Sequence, residues 1–220
     1  MTDIKRDNRV IRLVDRDYEI FRELARWRVC LARHIKILVS MSSIRTTNRR
    51  IKKLIESGYI SRVKILYGIP YIYTLEPKAR SLIHFTNKPE KIRVDQVVHD
   101  IAVLDTAIYL NQVYGIPFSS MRTEKQLHSQ DGFSNRKHQP DFVFNHKDKF
   151  VCVEVELSLK SKPRFEKNIE DNFSNYDMQY WFVPETIPKI KTILEEKEKF
   201  YPNIHIFKIE EVQKYVKSIS

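Results

Sequence analysis

Four charged side chains in the second half of the chain have the types and spacing for phosphodiester chemistry. Asp141 opens one apolar segment, and Glu154 and Glu156 alternate with apolar residues in the next, which runs on to Lys160. Because side chains alternate between the two faces of a strand, Glu154, Glu156 and Lys160 fall on one face. We therefore expect two carboxylates and an ammonium group to lie together.

The intervening residues predict a hairpin that adds Asp141 to this face. The sequence reads as strand, polar turn and longer strand, with a tight turn centred on Lys147 and Asp148. With that turn, the numbers of paired residues sum to 295, which places Asp141 opposite Glu154. A turn that differed by one residue would change this pairing.

Three converging carboxylates repel one another unless a cation is present, and hard oxygen ligands of this kind suit Mg²⁺ or Mn²⁺. Such a metal can polarise a phosphodiester and lower the pKa of an attacking water, while Lys160 could orient that water. Glu124, just upstream in MRTEKQL, is a candidate further ligand. The competing interpretation is an amphipathic edge strand whose polar face is wet, with lysine and glutamate paired across it.

The elements around these residues predict a mixed β-sheet with helices on both sides. Periodicity indicates a helix from about residue 94 to 113, another at 164–177, a strand in QYWFV, a helix at 188–200, a strand in NIHIFKI and a terminal helix. With the helices and hairpin of the first half, described next, the fold class is α+β or α/β.

The basic excess of the chain lies in its first half. Residues 1–90 contain 20 Lys+Arg and 9 Asp+Glu, whereas residues 91–220 contain 19 of each. A domain that lies against phosphates carries such a local excess, whereas a merely solubilising charge is more often spread along the chain.

The first half predicts three helices followed by a hairpin, the order of a winged helix-turn-helix domain. The first helix is expected to begin at a cap on Asp15 and to run to about Arg28, with Ile20, Phe21, Leu24 and Trp27 forming one buried stripe. The second runs from Leu31 to Val39, and the third from a cap at Ser42 or Ser43 to near Gly58. The run YISRVKILYGIPYIYTL then gives two strands around a Tyr-Gly-Ile-Pro turn. The polar stretch HFTNKPEKIR marks the boundary between expected domains at 1–88 and 89–220.

The third helix separates an apolar face from a cationic one, as a helix lying in a major groove requires. We expect Ile44, Ile51 and Ile55 to face the core. Near the N-terminal end, the residues best placed for base edges are Arg45, Thr46 and Asn48. Arg49 is a further cation placed for DNA contact. The cations placed for phosphates along this helix and the hairpin are Arg50, Lys52, Lys53, Arg62 and Lys64. The alternative is a solvated basic face without a ligand.

Several other classes of protein are disfavoured. No two histidines stand in the His-hydrophobic-His spacing of tyrosine relaxases, and no GxxxxGK or GxGxxG loop for a nucleotide is present. No apolar run approaches the roughly 18 residues that a membrane span needs, the N-terminus lacks the apolar stretch of a signal peptide, and the two cysteines form no CxxC pair. A cytoplasmic protein without a membrane partner is expected.

Pro140-Asp141, a twelve-residue gap and then Glu154-Val155-Glu156 resemble the PD-(D/E)XK core of restriction-endonuclease-like proteins. Glu156 stands where that pattern usually has lysine, although some members carry glutamate there. The resemblance implies a restriction-endonuclease-like second domain.

The whole chain also resembles the replication-relaxation family, which joins a winged helix to such a domain and includes MOB-C relaxases of plasmids and integrative elements. The residues that carry this resemblance are Asp15, Arg49-Arg50, Leu54, Gly58-Tyr59-Ile60, His99-Asp100, Asp105, Glu154, Glu156, Ser158, Lys160, Arg164 and Tyr176. It implies origin recognition on double-stranded DNA by the first domain and metal-dependent nicking by the second.

In that interpretation Asp141 and Glu154 are metal ligands, Glu124 and Glu156 assist them, and Lys160 supplies the catalytic cation. Other mobilisation or replication proteins are the expected partners. Two alternatives stay open: a non-enzymatic DNA-binding regulator whose second domain mediates dimerisation or partner contact, and a restriction or repair nuclease unconnected with DNA transfer.

Overall fold

The computed structural model of the chain describes residues 11–65, 67–85, 92–131 and 138–219. The chain divides into two compact units, the first ending at Leu104 and the second covering Asp105–Ile219. The predicted boundary at residue 88 lies outside the described residues. The mixed α and β composition predicted by the sequence is confirmed by a two-stranded sheet, a five-stranded sheet and their helices. Within the described ranges, no helix has the length and apolar character needed to cross a membrane.

The first unit contains three helices followed by an antiparallel hairpin, in the predicted order. Its elements are α1 (Asp15–Arg26), α2 (Ala32–Leu38), α3 (Ile44–Glu56), β1 (Ile60–Val63), β2 (Ile72–Leu75), α4 (Pro77–Leu82) and the beginning of α5 (Val97–Tyr114). In the hairpin Ile60 pairs with Leu75 and Val63 with Ile72. An isolated bridge from Cys30, just before α2, to Tyr73 ties the helices to β2.

Helix α1 is capped by a different aspartate from the expected one. The backbone N–H of Val14 donates to the Oδ2 atom of Asp17 at 2.8 Å, and Asp15 is the first helical residue. The expected apolar stripe is confirmed, because Ile20, Phe21 and Leu24 are all buried. Only the cap differs from the expectation, because Asp17, the third residue of the helix, accepts the backbone N–H of the residue that precedes the helix.

Both ends of α3 are where the sequence predicts them. The Oγ atom of Ser43 accepts the backbone N–H of Thr46 at 3.1 Å, as an N-cap does. At the other end Gly58 adopts a φ of 72°, and its N–H donates to the carbonyl of Ile55. The N–H of Tyr59 donates to the carbonyl of Leu54, which completes a Schellman motif.

The buried face of α3 differs from the expected Ile44, Ile51 and Ile55. Its buried residues are Thr47, Ile51 and Leu54, whereas Ile44 is 38% exposed. At 3.6 residues per turn, the observed stripe is rotated by about 50° from the expected one. A prediction based on isoleucines alone misses this rotation, because Thr47, which completes the buried stripe, is polar.

The second unit contains five strands in the order β3-β4-β5-β6-β7, with helices between and after them. Its elements are the rest of α5, β3 (Arg122–Thr123), α6 (Glu124–Asp131), β4 (Phe142–His146), β5 (Lys149–Val155), α7 (Lys162–Asn175), β6 (Met178–Val183), α8 (Pro188–Glu198), β7 (Ile204–Lys208) and α9 (Ile209–Ile219). β4 is antiparallel to both of its neighbours, β3 and β5, whereas β5, β6 and β7 are parallel.

The hairpin that carries the carboxylates has the predicted register. Phe142 pairs with Val153 and His146 with Lys149, so each pair sums to 295, and Lys147 and Asp148 form the turn with positive φ. The strand itself is shorter than expected: β5 ends at Val155, so Glu156 and Lys160 both lie beyond it. Alternation alone could not predict this end, because the apolar and polar residues continue to alternate beyond it.

Both faces of β5 are buried from Val151 to Val155, which rules out a wet polar face. Glu154 on β5 and Glu156, the first residue after it, are each 3% exposed. An apolar cluster containing Phe165 and Ile169 of α7 and Trp181 of β6 forms a core of this unit. The carboxylates therefore lie within packed structure, where charged groups require partners.

Candidate functional site

The exposed side of α3, together with β1 and the turn after it, carries a set of exposed cations, which we call the basic surface. Its six members are all exposed: Arg45, Arg49, Lys52, Lys53, Arg62 and Lys64. On α3 the cations lie opposite the buried stripe of Thr47, Ile51 and Leu54. Asn48 is exposed on the same helix, so it also remains available to a ligand.

The two cations of the hairpin are held on its exposed side by Tyr71. The guanidinium carbon of Arg62 lies 4.7 Å from the centre of the Tyr71 ring, and the Lys64 ammonium lies 5.8 Å from it. The Lys64 ammonium also donates to the carbonyl of Ile69. Such cation–π contacts reduce the conformational freedom of the two long side chains without neutralising their charge.

Arg50, predicted to contact phosphate, lies outside the basic surface. Its Nε atom donates to Oδ1 of Asp17 at 2.7 Å, its Nη2 atom donates to Oδ2 of the same carboxylate, and Nη2 also donates to the carbonyl of Arg12 at 3.1 Å. Asp17 is fully buried, and this hydrogen bonding raises the pKa of Arg50. Arg50 therefore links α3 to α1.

Thr46, predicted to reach base edges, has its hydroxyl in the N-terminal cap of α3. Its Oγ1 atom lies 2.9 Å from Oγ of Ser43, whose oxygen also accepts the Thr46 backbone N–H. Arg45, one residue before Thr46, and Asn48, two residues after it, are both exposed. Of the three expected base-reading residues, these two have the more accessible side chains.

In the second unit, Asp141, Glu154, Glu156 and Lys160 come together with two residues that the sequence did not reveal, His138 and Asn172. We call this group the acidic cluster. A carboxylate oxygen of Asp141 accepts the backbone N–H of Val155 at 2.7 Å. This bond joins the first residue before β4 to the end of β5.

Glu124 lies beside the acidic cluster through its backbone. Its N–H donates to the backbone carbonyl of Asp141 at 2.9 Å. Its carboxylate lies 3.6 Å from the Nε2 atom of His128, one turn further along α6. The backbone of Glu124, the expected additional ligand, is thus bonded to Asp141, while its carboxylate lies beside His128 of the same helix.

The carboxylate of Glu154 is bound by both of the unexpected residues. Its Oε1 atom lies 2.6 Å from Nε2 of His138 and accepts the Asn172 amide N–H at 2.9 Å. Asn172 continues the buried face of α7 after Phe165 and Ile169, so a polar residue in a helical apolar stripe was the available signal. His138 precedes Pro140-Asp141 in a segment whose composition indicates only a loop.

Glu156 pairs with Lys160, whose ammonium lies 2.6 Å from its Oε2 atom. Burial raises the pKa of Glu156, and the charges of Glu154 and Asp141 raise it further, against the lowering influence of Lys160. Burial lowers the pKa of Lys160, but the charges of Glu154 and Glu156 outweigh burial, and the pKa is raised. The lysine therefore stays protonated and compensates the carboxylates.

His138 supplies a second compensating group. Burial lowers the pKa of His138, but the hydrogen bond and charge of Glu154 outweigh that effect, and the net result is a raised pKa. The imidazolium form is thus favoured beside Glu154. Together His138 and Lys160 offset most of the charge of the three carboxylates.

The acidic cluster has the donor chemistry of a Mg²⁺ or Mn²⁺ site but not its arrangement. Among the residues that the structure describes, no group of three or more His, Cys, Asp or Glu side chains is placed to hold a metal ion. His138 and Asn172 bind Glu154, and Lys160 binds Glu156. A metal would have to displace some of these contacts.

Comparisons of the chain with protein-family models, with curated proteins and with solved structures found no match.

Proposed function

We propose that this chain binds double-stranded DNA through a winged helix formed by α1, α2, α3 and the β1–β2 hairpin. The observation that carries the proposal is the basic surface, whose α3 cations lie opposite the stripe that packs into the core. In this proposal α3 enters the major groove and the hairpin lies against the neighbouring backbone. The excess of 20 Lys+Arg over 9 Asp+Glu in residues 1–90 supports the same ligand.

Within this interface, Arg45 and Asn48 near the start of α3 are the candidates for base edges. Arginine suits guanine and asparagine suits adenine, because each can form two hydrogen bonds to one base. Lys52, Arg62 and Lys64 are the candidates for phosphates, which need a cation but no particular orientation.

The salt dependence of binding to a mixed-sequence duplex tests the proposal. Lys52→Ala should lower the slope of log K against log salt by about 0.9, the effect of losing one phosphate contact. Lys191→Ala in α8 is the matched control, because both lysines are exposed and each pairs with a glutamate four residues later. Equal slopes for the two variants would contradict the proposal that the basic surface contacts DNA.

Metal-dependent DNA cleavage by the second unit is a second candidate function. The convergence of Asp141, Glu154 and Glu156, in the register predicted from their spacing, favours it. With cleavage, the resemblance to the replication-relaxation family would make the substrate an origin on a plasmid or integrative element. Without cleavage, the unit would serve as a scaffold for dimerisation or partner contact in a non-enzymatic DNA-binding regulator.

Mn²⁺ binding measured by calorimetry separates these two outcomes. Asp141→Asn removes a carboxylate from the acidic cluster while keeping an oxygen that can accept the Val155 N–H. Asp148→Asn is the control, because it makes the same substitution at the exposed turn of the same hairpin, where φ is 58° and asparagine is tolerated. Binding that Asp141→Asn alone abolishes would support cleavage, and nicking of supercoiled plasmid would then be measured. Absence of Mn²⁺ binding, with and without DNA, would favour the scaffold.

A further inference from the structure

A cleft opens between the beginning of α1 and one side of α3. Its volume is about 200 Å³. The residues that line it are Val14, Arg16, Asp17, Met41, Thr46, Arg49, Arg50 and Lys53. Arg49 and Lys53 belong to the basic surface, whereas Arg16 comes from α1 and was not recognised in the sequence. The cleft therefore extends the basic surface from α3 onto α1.

The lining carries a net of three positive charges. Asp17 and Arg50 neutralise each other through their ion pair. Arg16, Arg49 and Lys53 are exposed, and none of them forms an ion pair within the described residues. Three like charges around one small cleft repel one another, so an anion placed there would be stabilised.

One wall of the cleft is apolar. Val14 is 49% exposed and Met41 is largely buried, and both line the cleft beside the cations. The N–H of Val14 is already bonded to Asp17. A ligand that fits this lining has an anionic group next to an apolar one. A backbone phosphate with its deoxyribose has both.

We infer that the cleft seats one backbone phosphate and the adjoining sugar of the DNA bound by α3, with Arg16 as an additional phosphate contact. This inference rests on the proposed DNA binding. Arg49 and Lys53 lie on the side of α3 that faces α1, whereas Arg45, Asn48 and Lys52 lie further round the helix. A DNA strand that leaves the groove beside α3 would thus pass from Arg49 and Lys53 to Arg16.

The test compares Arg16→Gln with Arg22→Gln in the full chain. Both arginines are exposed on α1, but Arg22 does not line the cleft. Loss of one phosphate contact lowers the salt slope by about 0.9, so the fall in affinity between 50 and 200 mM salt should be about 3.5-fold smaller for Arg16→Gln. Arg22→Gln should keep the wild-type slope.

Lys52→Ala, measured in parallel, separates the phosphate seat in the cleft from the proposed DNA binding, because Lys52 does not line the cleft. If Lys52→Ala changes the slope and Arg16→Gln does not, the cleft is not a phosphate seat and the proposed DNA binding stands. If neither changes it, both are overturned. A slope lowered by both variants supports both.

Inorganic phosphate distinguishes a seat for DNA from a site for free phosphate. A free-phosphate site would raise the thermal unfolding midpoint of the wild type but not of Arg16→Gln when phosphate replaces chloride at constant ionic strength. That result, together with an unchanged salt slope for Arg16→Gln, would overturn the inference.

Discussion

Replacing Arg50 by methionine should destabilise the first unit, whereas the same replacement of its neighbour Arg49 should leave stability unchanged. The sequence places both arginines among the DNA contacts, but the structure pairs only Arg50 with a buried carboxylate. Methionine keeps most of the aliphatic stem and removes the charge. The two variants therefore differ mainly in the fate of Asp17.

The expected magnitude follows from the burial of Asp17. Removing one partner of a buried ion pair leaves the other charge uncompensated, which costs about 3–5 kcal/mol. The Arg50 side chain is 22% exposed, so water can approach the vacated position, and we expect a value near 3 kcal/mol. For the exposed Arg49, a change within about 0.5 kcal/mol is expected.

Amide hydrogen exchange of α1 and α3 in the full chain is the appropriate assay, because it reports the opening free energy of each segment separately. A loss of about 3 kcal/mol corresponds to roughly 150-fold faster exchange. Arg49→Met serves as the control. The double variant Asp17→Asn with Arg50→Met should exchange more slowly than Arg50→Met alone, since the neutral amide removes the uncompensated charge.

The opposite pattern would make Arg50 a DNA contact instead of a structural one. If Arg50→Met left exchange in α1 and α3 unchanged and lowered the salt slope of DNA binding by about 0.9, Arg50 would be a phosphate contact. The ion pair with Asp17 would then contribute no stability.

Two further predictions concern the end of α3 and the acidic cluster. Gly58→Ala should lower the unfolding free energy of the first unit by about 1–2 kcal/mol, because the residue has a φ of 72°. No atom lies within 4 Å of an added Cβ, so the cost comes from the backbone conformation and not from a clash. A denaturant titration that shows no loss of stability would contradict this expectation. The pKa of His138 is raised above its ordinary 6.5, so its pairing with Glu154 stabilises the fold below pH 6.5 and is lost as pH rises through the folded-state pKa. His138→Gln should therefore remove the fall in stability that begins near pH 6.5. The pKa of Glu156 is also raised, so stability should fall separately as pH rises from about 4.5, and this fall should remain in His138→Gln. Unfolding measured across this pH range checks both expectations.

Local features of the fold could be predicted because neighbouring residues determine them. Ser43 and Gly58 mark the ends of α3 through contacts within a few residues. The register of the β4–β5 hairpin depends only on the length of its turn at Lys147 and Asp148. The concentration of basic residues in the first half is likewise a property of composition.

The acidic cluster could be predicted only in part. The pairing of Asp141 with the end of β5 follows from the hairpin register, but the contact of Glu154 with Asn172 depends on how α7 packs against the sheet. His138 reaches Glu154 from a segment without regular periodicity. The prediction that Lys160 lies on the strand is wrong, but its ammonium still reaches Glu156 from the segment after the strand.

The sequence by itself determined the order of the main helices and strands, the hairpin register and the half of the chain that carries the basic excess, because these depend on periodicity, turn chemistry and charge within short stretches. It did not predict the short elements α4, β3 and α6. Only the tertiary structure decided which charges remain accessible. Arg50 is bonded to Asp17, 33 residues away, and Glu154 to Asn172, 18 residues away, while Arg16 joins Arg49 and Lys53 around one cleft. Residue types alone cannot predict such contacts, because they arise where separate elements pack and each buried charge must find a partner.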